Sequence, residues 1–365
     1  MRIRIRRRLP IIFAVLLAAA AVSAAVILRK HAPPEPARLL PSADAFFYID
    51  LKWMRRENVA GKLPDIKRDP EYEQFIQATG FQFERDLEEA AFAIHYSDGS
   101  SSHKSGESQP RFSEVFVAKI QGERLREYLR KLSSSVDNFR SIDIFSIPLE
   151  GRTLRVAILG VDTVAASNHA DPNVIRGIIE RSRKLASPFG GPALLRQYYK
   201  HVPFTSLVWG IFRAQPGASR GQKNIGGNPL DLSFLLTRPA VIVASVRYLT
   251  AVHFKAEAFT GSDEAAERLT EQLGTFLTIF RSAETSFMGQ ASDADVKQFF
   301  EGLKIEQRKD RTILTANIPI DFIRKAIAEV PNEVSPQVKD VGPHEENSPR
   351  TSAPATKRKS KTAAN

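Results

Sequence analysis

The stretch VFVAKIQGERLREYLRKL, residues 115–132, joins a β-rich run to an amphipathic helix pattern through a single glycine. After Gly122, apolar side chains recur at i, i+3, i+4 and i+7, which places them on one face of a helix. These side chains are Leu125, Tyr128, Leu129 and Leu132. The stretch therefore predicts a strand, a turn and a helix that buries one side.

The same order of strand, glycine and helix recurs in VHFKAEAFTGSDEAAERLTEQL, residues 252–273. This recurrence predicts a tandem pair of related α+β units, with Gly122 and Gly261 at equivalent turns. Two unrelated halves that share a common strand-turn-helix arrangement are the alternative.

The rest of the body continues the alternation of strands and helices. A helix opening at Asp171, with Pro172 in its first turn, carries Ile175, Ile178 and Ile179 on its buried side. Further strands are predicted over residues 45–51, 90–96, 142–149, 152–159, 206–214, 240–249 and 311–320, and further helices over 263–281, 293–303 and 321–330. The predicted fold class is α+β, with mainly antiparallel sheets covered on one face by helices.

The N-terminus carries an uncharged run from Ile11 to Leu28. A helix of this length measures about 27 Å, close to the thickness of a bilayer core. Five arginines precede the run, whereas Arg29 and Lys30 follow it. This asymmetry predicts a transmembrane helix over residues 11–28 with its N-terminus in the cytoplasm.

A cleavable signal peptide is the alternative, because Val22, Ser23 and Ala24 are small residues suited to a cleavage site. The apolar run continues to Leu28, past that site, and this length favours retention. A buried core helix would need a polar face, which the run lacks.

The predicted organisation has six parts. They are a basic cytoplasmic stub (1–10), the transmembrane helix (11–28), a Pro-rich linker (29–38), two α+β units (39–192 and 193–330) and a disordered basic tail (331–365). The linker holds three prolines that favour an extended backbone, and the tail holds too few large apolar residues to fold.

The formal net charge of +11 comes from the two ends of the chain. Eleven basic residues lie in segments 2–30 and 357–361, and the remaining 41 basic residues equal the 41 acidic ones. The body therefore lacks the basic excess typical of nucleic-acid binding, and no nucleic-acid partner is predicted. The absence of cysteine excludes disulfides, cysteine-bound zinc and thiol catalysis.

The motif PSADAFFYID, Pro41 to Asp50, follows the anchor and the linker. In this respect the chain resembles membrane-anchored bacterial envelope proteins of unknown function, whose ectodomains begin with proline, a small residue, Asp-Ala and a strand. The resemblance implies a location in the bacterial envelope and supplies no catalytic residues.

Two motifs carry residue types found in chemical sites. GASRG, residues 217–221, fits a nucleophile elbow around Ser219, but the glycine- and proline-rich segment that follows it prevents the helix that an elbow requires. The segment with His95, Asp98, His103 and Glu107 carries metal-ligating side chains, but its serine and glycine content indicates a solvated hairpin loop.

Other polar residues are better explained structurally. His169 precedes Asp171, whose side chain suits a helix cap, while His201 and His253 have no partner at a readable spacing. The acidic pairs, Glu88 with Glu89 and Asp293 with Asp295, suit solvated faces and helix starts.

Two segments with basic or aromatic residues suit two interpretations, a structural role and contact with an anionic or membrane surface. Trp53, with Lys52, Arg55 and Arg56, is expected to pack in the core rather than to contact lipid headgroups. The segment KRKSK, residues 357–361, is expected to be a solubilising tail rather than an anion-binding element. No phosphate-binding glycine loop is present in the sequence.

The sequence predicts a single-pass inner-membrane protein with a non-enzymatic binding or scaffolding ectodomain outside the cytoplasm. The predicted partners are the membrane, through residues 11–28, and an envelope protein or polymer. No catalytic, cofactor-binding or metal-ligating residue is assigned. An envelope hydrolase with an active site assembled from residues distant in sequence is the alternative.

Overall fold

The computed structural model describes residues 32–56, 69–96, 110–149, 151–183, 190–216, 236–248, 251–287 and 302–320. These residues contain twelve strands, all in one sheet. The strands are β1 (Ala45–Asp50), β2 (Leu87–His95), β3 (Arg111–Ala118), β4 (Ser135–Phe139), β5 (Ile142–Leu149), β6 (Arg152–Ile158), β7 (Thr163–Ser167), β8 (Ser206–Ala214), β9 (Ala240–Tyr248), β10 (Val252–Phe259), β11 (Lys304–Arg308) and β12 (Arg311–Ile318).

Eight α-helices accompany the strands in the described part of the chain. They are α1 (Glu35–Leu39), α2 (Leu51–Arg56), α3 (Pro70–Thr79), α4 (Phe83–Asp86), α5 (Gly122–Leu132), α6 (Asn173–Arg183), α7 (Ala193–Tyr198) and α8 (Asp263–Phe287). A short 3₁₀ turn, Tyr199–His201, follows α7. The predicted α+β class with antiparallel pairing is confirmed, because every pair of adjacent strands is antiparallel.

The strand order is β11-β12-β10-β9-β8-β1-β2-β3-β7-β6-β5-β4. On one side of the central β1–β8 pair, β1, β2 and β3 form a meander that leads into α5, and β7 returns beside β3. On the other side, β8, β9 and β10 form a meander that leads into α8, and β12 returns beside β10. The two sides therefore share one connectivity around the β1–β8 pair.

The layers differ from the expectation in two respects. The sheet is continuous through the β1–β8 pair, and helices pack on both of its faces rather than on one. Pairing β1 with β8 satisfies the backbone groups of two strands that would otherwise be sheet edges.

One sheet face, the covered face, holds the largest core cluster. Phe46, Tyr48 and Trp209 project from the central strands toward α1, α6 and α7. The predicted side chains Ile175, Ile178 and Ile179 of α6 are fully buried there. Small residues such as Ala91 and Ala165 let these helices approach the sheet closely.

In the described part of the chain, α5 and α8 cover the opposite face toward its two ends, and Trp53 and Met54 of α2 pack near Val208 and Val246. Leu125 and Leu129 of α5 pack on β5, β6 and β7, as the sequence predicted. Leu269 and Leu273 of α8 pack on Ala240 and its neighbours near the other end. The strands between these two helices carry the candidate site.

Local chemistry sets several helix starts. Asp50 ends β1 and accepts a hydrogen bond from the backbone N–H of Trp53 at 2.9 Å, which caps α2. Asp171 accepts from the N–H of Asn173 at 2.9 Å, so its predicted capping role for α6 is confirmed. Gly261 has the left-handed φ of 78° ahead of α8, whereas Gly122 is the first residue of α5.

The Pro-rich linker prediction is wrong for residues 35–38. Glu35–Leu39 form α1, whose Pro36, Ala37 and Leu39 are buried against the sheet. Proline is compatible with the first turn of a helix, because the N–H it lacks has no partner there.

Several predictions fall outside the described residues. They concern the transmembrane segment 11–28, the helices at 293–303 and 321–330, and the tail 331–365. Among the helices that the structure describes, none has both the length and the apolar character needed to cross a membrane.

Candidate functional site

The uncovered part of the sheet presents three adjacent rows of side chains, here called the open strip. The middle row crosses Glu114, Phe92, Phe47, Gly210 and Ala244, which are successive cross-strand partners. The flanking rows are Phe112, Ile94, Ala45, Phe212 and Ile242 on one side, and Phe116, Ala90, Ile49, Val208 and Val246 on the other.

Solvent reaches most of the open strip. Of its fifteen residues, Ala45, Ala90 and Gly210 are buried, eleven are half-buried and Phe47 is exposed. Phe47 is 37% exposed and stacks on Phe212, with ring centroids 6.1 Å apart. A contiguous apolar surface of this kind usually marks a binding site.

Three elements bound the open strip. On the β3 side, Phe116 packs against the cluster that contains Leu125 and Leu129 of α5. Along the direction of β9, α8 covers Ala240, one residue row beyond Ile242. At the end where β1 runs into α2, Trp53 packs edge-on against Tyr248, with ring centroids 6.0 Å apart. The result is an apolar floor with helices on its margins.

Glu114 is the single titratable side chain of the open strip. Its cross-strand neighbours are Phe92 and Ala166, and Phe112 and Phe116 lie next to it on the same face of β3. The described residues provide its carboxyl with no hydrogen-bond or ion-pair partner. Burial raises the pKa of Glu114 to about 7. The described residues therefore supply no hydrogen bond or opposite charge that would offset the burial of an ionised carboxylate at this position.

A second candidate is a cleft of about 370 Å³ at one end of the covered face. Its charged or titratable lining residues are Asp44, His95, Tyr96, His169 and Arg213. The two imidazole rings lie edge to face with centroids 5.0 Å apart. Sequence reasoning grouped His95 with Asp98, His103 and Glu107, and His169 with Asp171. It did not bring the two histidines together, because 74 positions separate them and the β2–β3–β7 pairing is what makes them neighbours.

The polar groups of the cleft largely satisfy one another. Arg213 forms an ion pair with Asp44 at 3.3 Å. The backbone N–H of Asp171 donates to Nδ1 of His169 at 3.1 Å, so this nitrogen is an acceptor and Nε2 carries the proton in the neutral ring. Burial lowers the pKa of His95, and the adjacent His169 lowers it further against the opposing effect of Asp44.

The serine beside His95 is out of reach of a substrate. Nε2 of His95 lies 3.4 Å from Oγ of Ser113, but Ser113 is fully buried and its hydroxyl lies 2.9 Å from that of Ser167. Across the described ranges, no three His, Cys, Asp or Glu side chains converge as a metal site would require.

The acidic pair Glu88 and Glu89 divides between two environments. Glu88 accepts from Nζ of Lys52 at 2.9 Å in an exposed ion pair, as expected for a solvated face. Glu89 is partly buried and accepts from the hydroxyl of Tyr48 at 2.9 Å, so the solvated interpretation is wrong for this residue. Burial raises the pKa of Glu89, and the Tyr48 hydrogen bond opposes that rise.

The two remaining histidines gain partners that the sequence did not indicate. Nδ1 of His201 lies 3.2 Å from the guanidinium of Arg311, which pairs in turn with the buried Glu257 at 2.9 Å. Nδ1 of His253 lies 2.6 Å from Oδ1 of Asn317 in an exposed contact. Both histidines have structural partners, as isolated polar residues usually do.

Trp53 lies in the core, as the sequence analysis expected. The predicted packing of Trp53 is confirmed, because its ring joins the cluster around Leu207 and Val252. The remaining candidates lie outside the described residues: Asp98, His103, Glu107, Ser219, Asp293, Asp295 and the 357–361 segment.

Sequence reasoning missed the open strip as a site, although it predicted most of the strands that form it. Glu114 stands in the predicted strand EVFVAKI as an acidic residue among aromatic and branched ones. A single acidic residue in a strand that has apolar side chains on both faces is the sequence signal that indicates this position.

No protein-family model matches this chain, and no curated protein matches it. Distant similarity exists to crystal structures of TP0453. Crystal forms IV and III each give a TM-score of 0.43 at 10% identity, covering 81% of this chain and 97% and 98% of theirs. Crystal form I gives 0.41 at 11% identity, with coverage of 81% and 97%. At these values the similarity assigns no function.

Proposed function

We propose that this chain is a membrane-anchored envelope protein that binds a single-chain amphiphile on the open strip without transforming it. The strip itself is the observation that carries the proposal. Twelve of its fifteen side chains contact solvent, and all of these except Glu114 are apolar. Such a surface gains free energy when an apolar partner removes it from water.

The size of the strip favours a small ligand over a protein partner. Five strands about 4.8 Å apart and three rows about 6.8 Å apart span about 24 by 20 Å, or about 480 Å². A stable protein interface needs about 800 Å² on each partner. An alkyl chain lying along the floor between α5 and α8 is within this area.

The proposed location at the membrane rests on the apolar run 11–28 and on the basic residues that flank it. An anchor at this position would hold the ectodomain within reach of membrane amphiphiles outside the cytoplasm. The resemblance of Pro41 to Asp50 to the opening of envelope ectodomains supports the same location. The shared connectivity of the two sheet halves supports an internal duplication.

The alternative of an envelope hydrolase has weaker support. The cleft brings together residues distant in sequence, as that alternative requires, but the hydroxyl beside His95, that of Ser113, is buried and hydrogen-bonded. Arg213 and Asp44 neutralise each other beside the histidines. Binding is therefore the role that the described side chains suit better.

The chain contains no cysteine, so one introduced thiol reports on one site. To test the proposal, the full chain with Phe47→Cys is placed in phosphatidylcholine nanodiscs. The rate at which a maleimide labels this thiol is then measured with and without octyl glucoside, at concentrations below those at which it forms micelles. Binding predicts at least tenfold slower labelling. Val161→Cys, at a position 90% exposed and off the strip, is the control and is expected to label at an unchanged rate.

Two outcomes of this experiment would contradict the proposal. One is equal labelling of Phe47→Cys at all amphiphile concentrations. The other is protection that needs no amphiphile and grows with protein concentration, which would make a second copy of the chain the occupant.

The location has a separate test. In intact cells, an external protease is expected to cleave a C-terminal epitope only after the outer layer of the cell envelope has been permeabilised. The purified chain is expected to begin at residue 1 or 2. A mature N-terminus near Ala25, or an epitope accessible only from the cytosol, would contradict retention of residues 11–28 as an anchor.

A further inference from the structure

Glu114 occupies a position where the sheet otherwise places apolar side chains. The row that contains it crosses ten strands, from Phe145 on β5 to Leu314 on β12. Its members are Phe145, Val156, Ala166, Glu114, Phe92, Phe47, Gly210, Ala244, Ala256 and Leu314. Nine are apolar or glycine, so the carboxyl is the one polar side chain of this described row.

The carboxyl of Glu114 also differs from the other buried acids of the chain. Asp86 pairs with Arg85 at 2.6 Å, and Glu257 pairs with Arg311 at 2.9 Å. Glu89 accepts a hydrogen bond from Tyr48. Each of these carboxyls has a donor supplied by the fold, whereas Glu114 has none among the described residues.

The neighbouring strands cannot supply a donor from their side chains. The side chains beside Glu114 on its own face are phenylalanine, alanine, isoleucine and valine, listed as Phe92, Phe112, Phe116, Ala90, Ala166, Ile94 and Val164. None of these side chains donates a hydrogen bond. Asn168, which follows β7, is engaged with Phe112, whose backbone N–H donates to its Oδ1 at 2.7 Å. Among the described residues the carboxyl of Glu114 has no partner, and a ligand on the solvent side of the strip can supply one.

We infer that Glu114 selects for amphiphiles with a cationic head group, so that the open strip holds the alkyl chain while the carboxylate pairs with an ammonium or amine. This inference rests on the proposed function and adds the class of ligand. Charge complementarity carries it, since a cation offsets the desolvation of the carboxylate whereas an anionic head group adds repulsion.

A comparison of head groups on one chain length tests the inference. Octyltrimethylammonium, octyl glucoside and octanoate are titrated against the Phe47→Cys chain in phosphatidylcholine nanodiscs, and the concentration for half-protection of the thiol is measured. We expect the cation to protect at a concentration at least tenfold lower than the anion, with the neutral amphiphile between them.

Two variants in the same background assign the preference to Glu114. Glu114→Gln keeps the shape of the side chain and removes its charge, and Glu114→Leu gives an apolar row that folds without a polar group. Each is expected to bring the three half-protection concentrations within twofold of one another. Glu73→Gln, a change at an exposed carboxyl of α3, is expected to keep the preference.

The outcomes separate the two proposals. Equal protection by all three amphiphiles in the Phe47→Cys chain, or an unchanged preference in both Glu114 variants, would overturn the head-group inference and leave binding on the strip intact. Protection by none of the three would overturn the proposed function and this inference with it.

Discussion

Gly210 of β8 lies directly opposite Phe47 of β1, and a Cβ atom at position 210 would lie 3.0 Å from two carbons of the Phe47 ring. The glycine lets the ring lie flat across the central strand pair and reach Phe212. Cross-strand packing of an aromatic ring over a glycine is a known stabilising arrangement.

This contact predicts that Gly210→Ala lowers the free energy of unfolding by about 1 kcal/mol, because the ring must move. Phe47→Ala in the same chain is expected to remove the penalty, so a double-mutant cycle in urea should give a coupling of about 1 kcal/mol. Gly160→Ala, where a Cβ has no neighbour within 4 Å, is the control. Additive effects of the two changes would contradict the contact.

Glu114 predicts a pH dependence of stability. Its folded pKa is about 7 against 4.5 for the ordinary carboxyl, so its protonated form stabilises the fold below pH 4.5 and that contribution falls as pH rises to 7. Glu114→Gln is therefore expected to raise the free energy of unfolding by about 2 to 3 kcal/mol at pH 8 and to change it little at pH 4.5. Urea unfolding at both pH values measures this, and a gain of equal size at both would contradict it.

His95 predicts the opposite dependence. Its pKa is lowered in the fold, so the unfolded chain takes up a proton near pH 6.5 before the folded chain does, and stability falls as pH drops below 6.5. The slope is expected to stay under about 1.4 kcal/mol per pH unit for this one proton. His95→Asn should remove that part of the slope, whereas His253→Asn, at an exposed contact, should keep it.

The buried Glu257 predicts a large and charge-specific loss of stability. It is 3% exposed and pairs with Lys255 and Arg311. Glu257→Gln leaves two cations without their anion and is expected to cost about 3 kcal/mol. Glu306→Gln breaks the exposed pair with Arg308 and is expected to cost less than about 1 kcal/mol. Similar costs for the two changes, measured by urea unfolding, would contradict the role of burial.

The sequence predicted the strands whose side chains alternate or are apolar throughout, because burial of the sheet dictates that pattern. It missed β4 and β11, whose residues are mostly exposed and polar, so their pairing depends on the backbone and on neighbouring strands. It also missed the buried β7, a strand of five residues. The burial of α1 was missed as well, since its prolines favour an extended backbone until the sheet offers a surface for Leu39.

The candidate site was beyond the sequence for a related reason. Strands β1, β2 and β8 carry apolar side chains on both faces, a pattern that predicts burial on both sides. Which face stays open depends on where α5 and α8 lie, and the sequence positions of these helices do not specify the strands they cover. The pairing of His95 with His169 depends likewise on strand order.

The β1–β8 pair has a consequence for biosynthesis. About 160 residues separate these two strands, so β1 leaves the ribosome long before its partner exists. Until β8 emerges, the nascent first half exposes an unpaired edge beside Phe47, which is the kind of surface that promotes aggregation. Closure of this long-range contact is therefore expected to be the slow folding step.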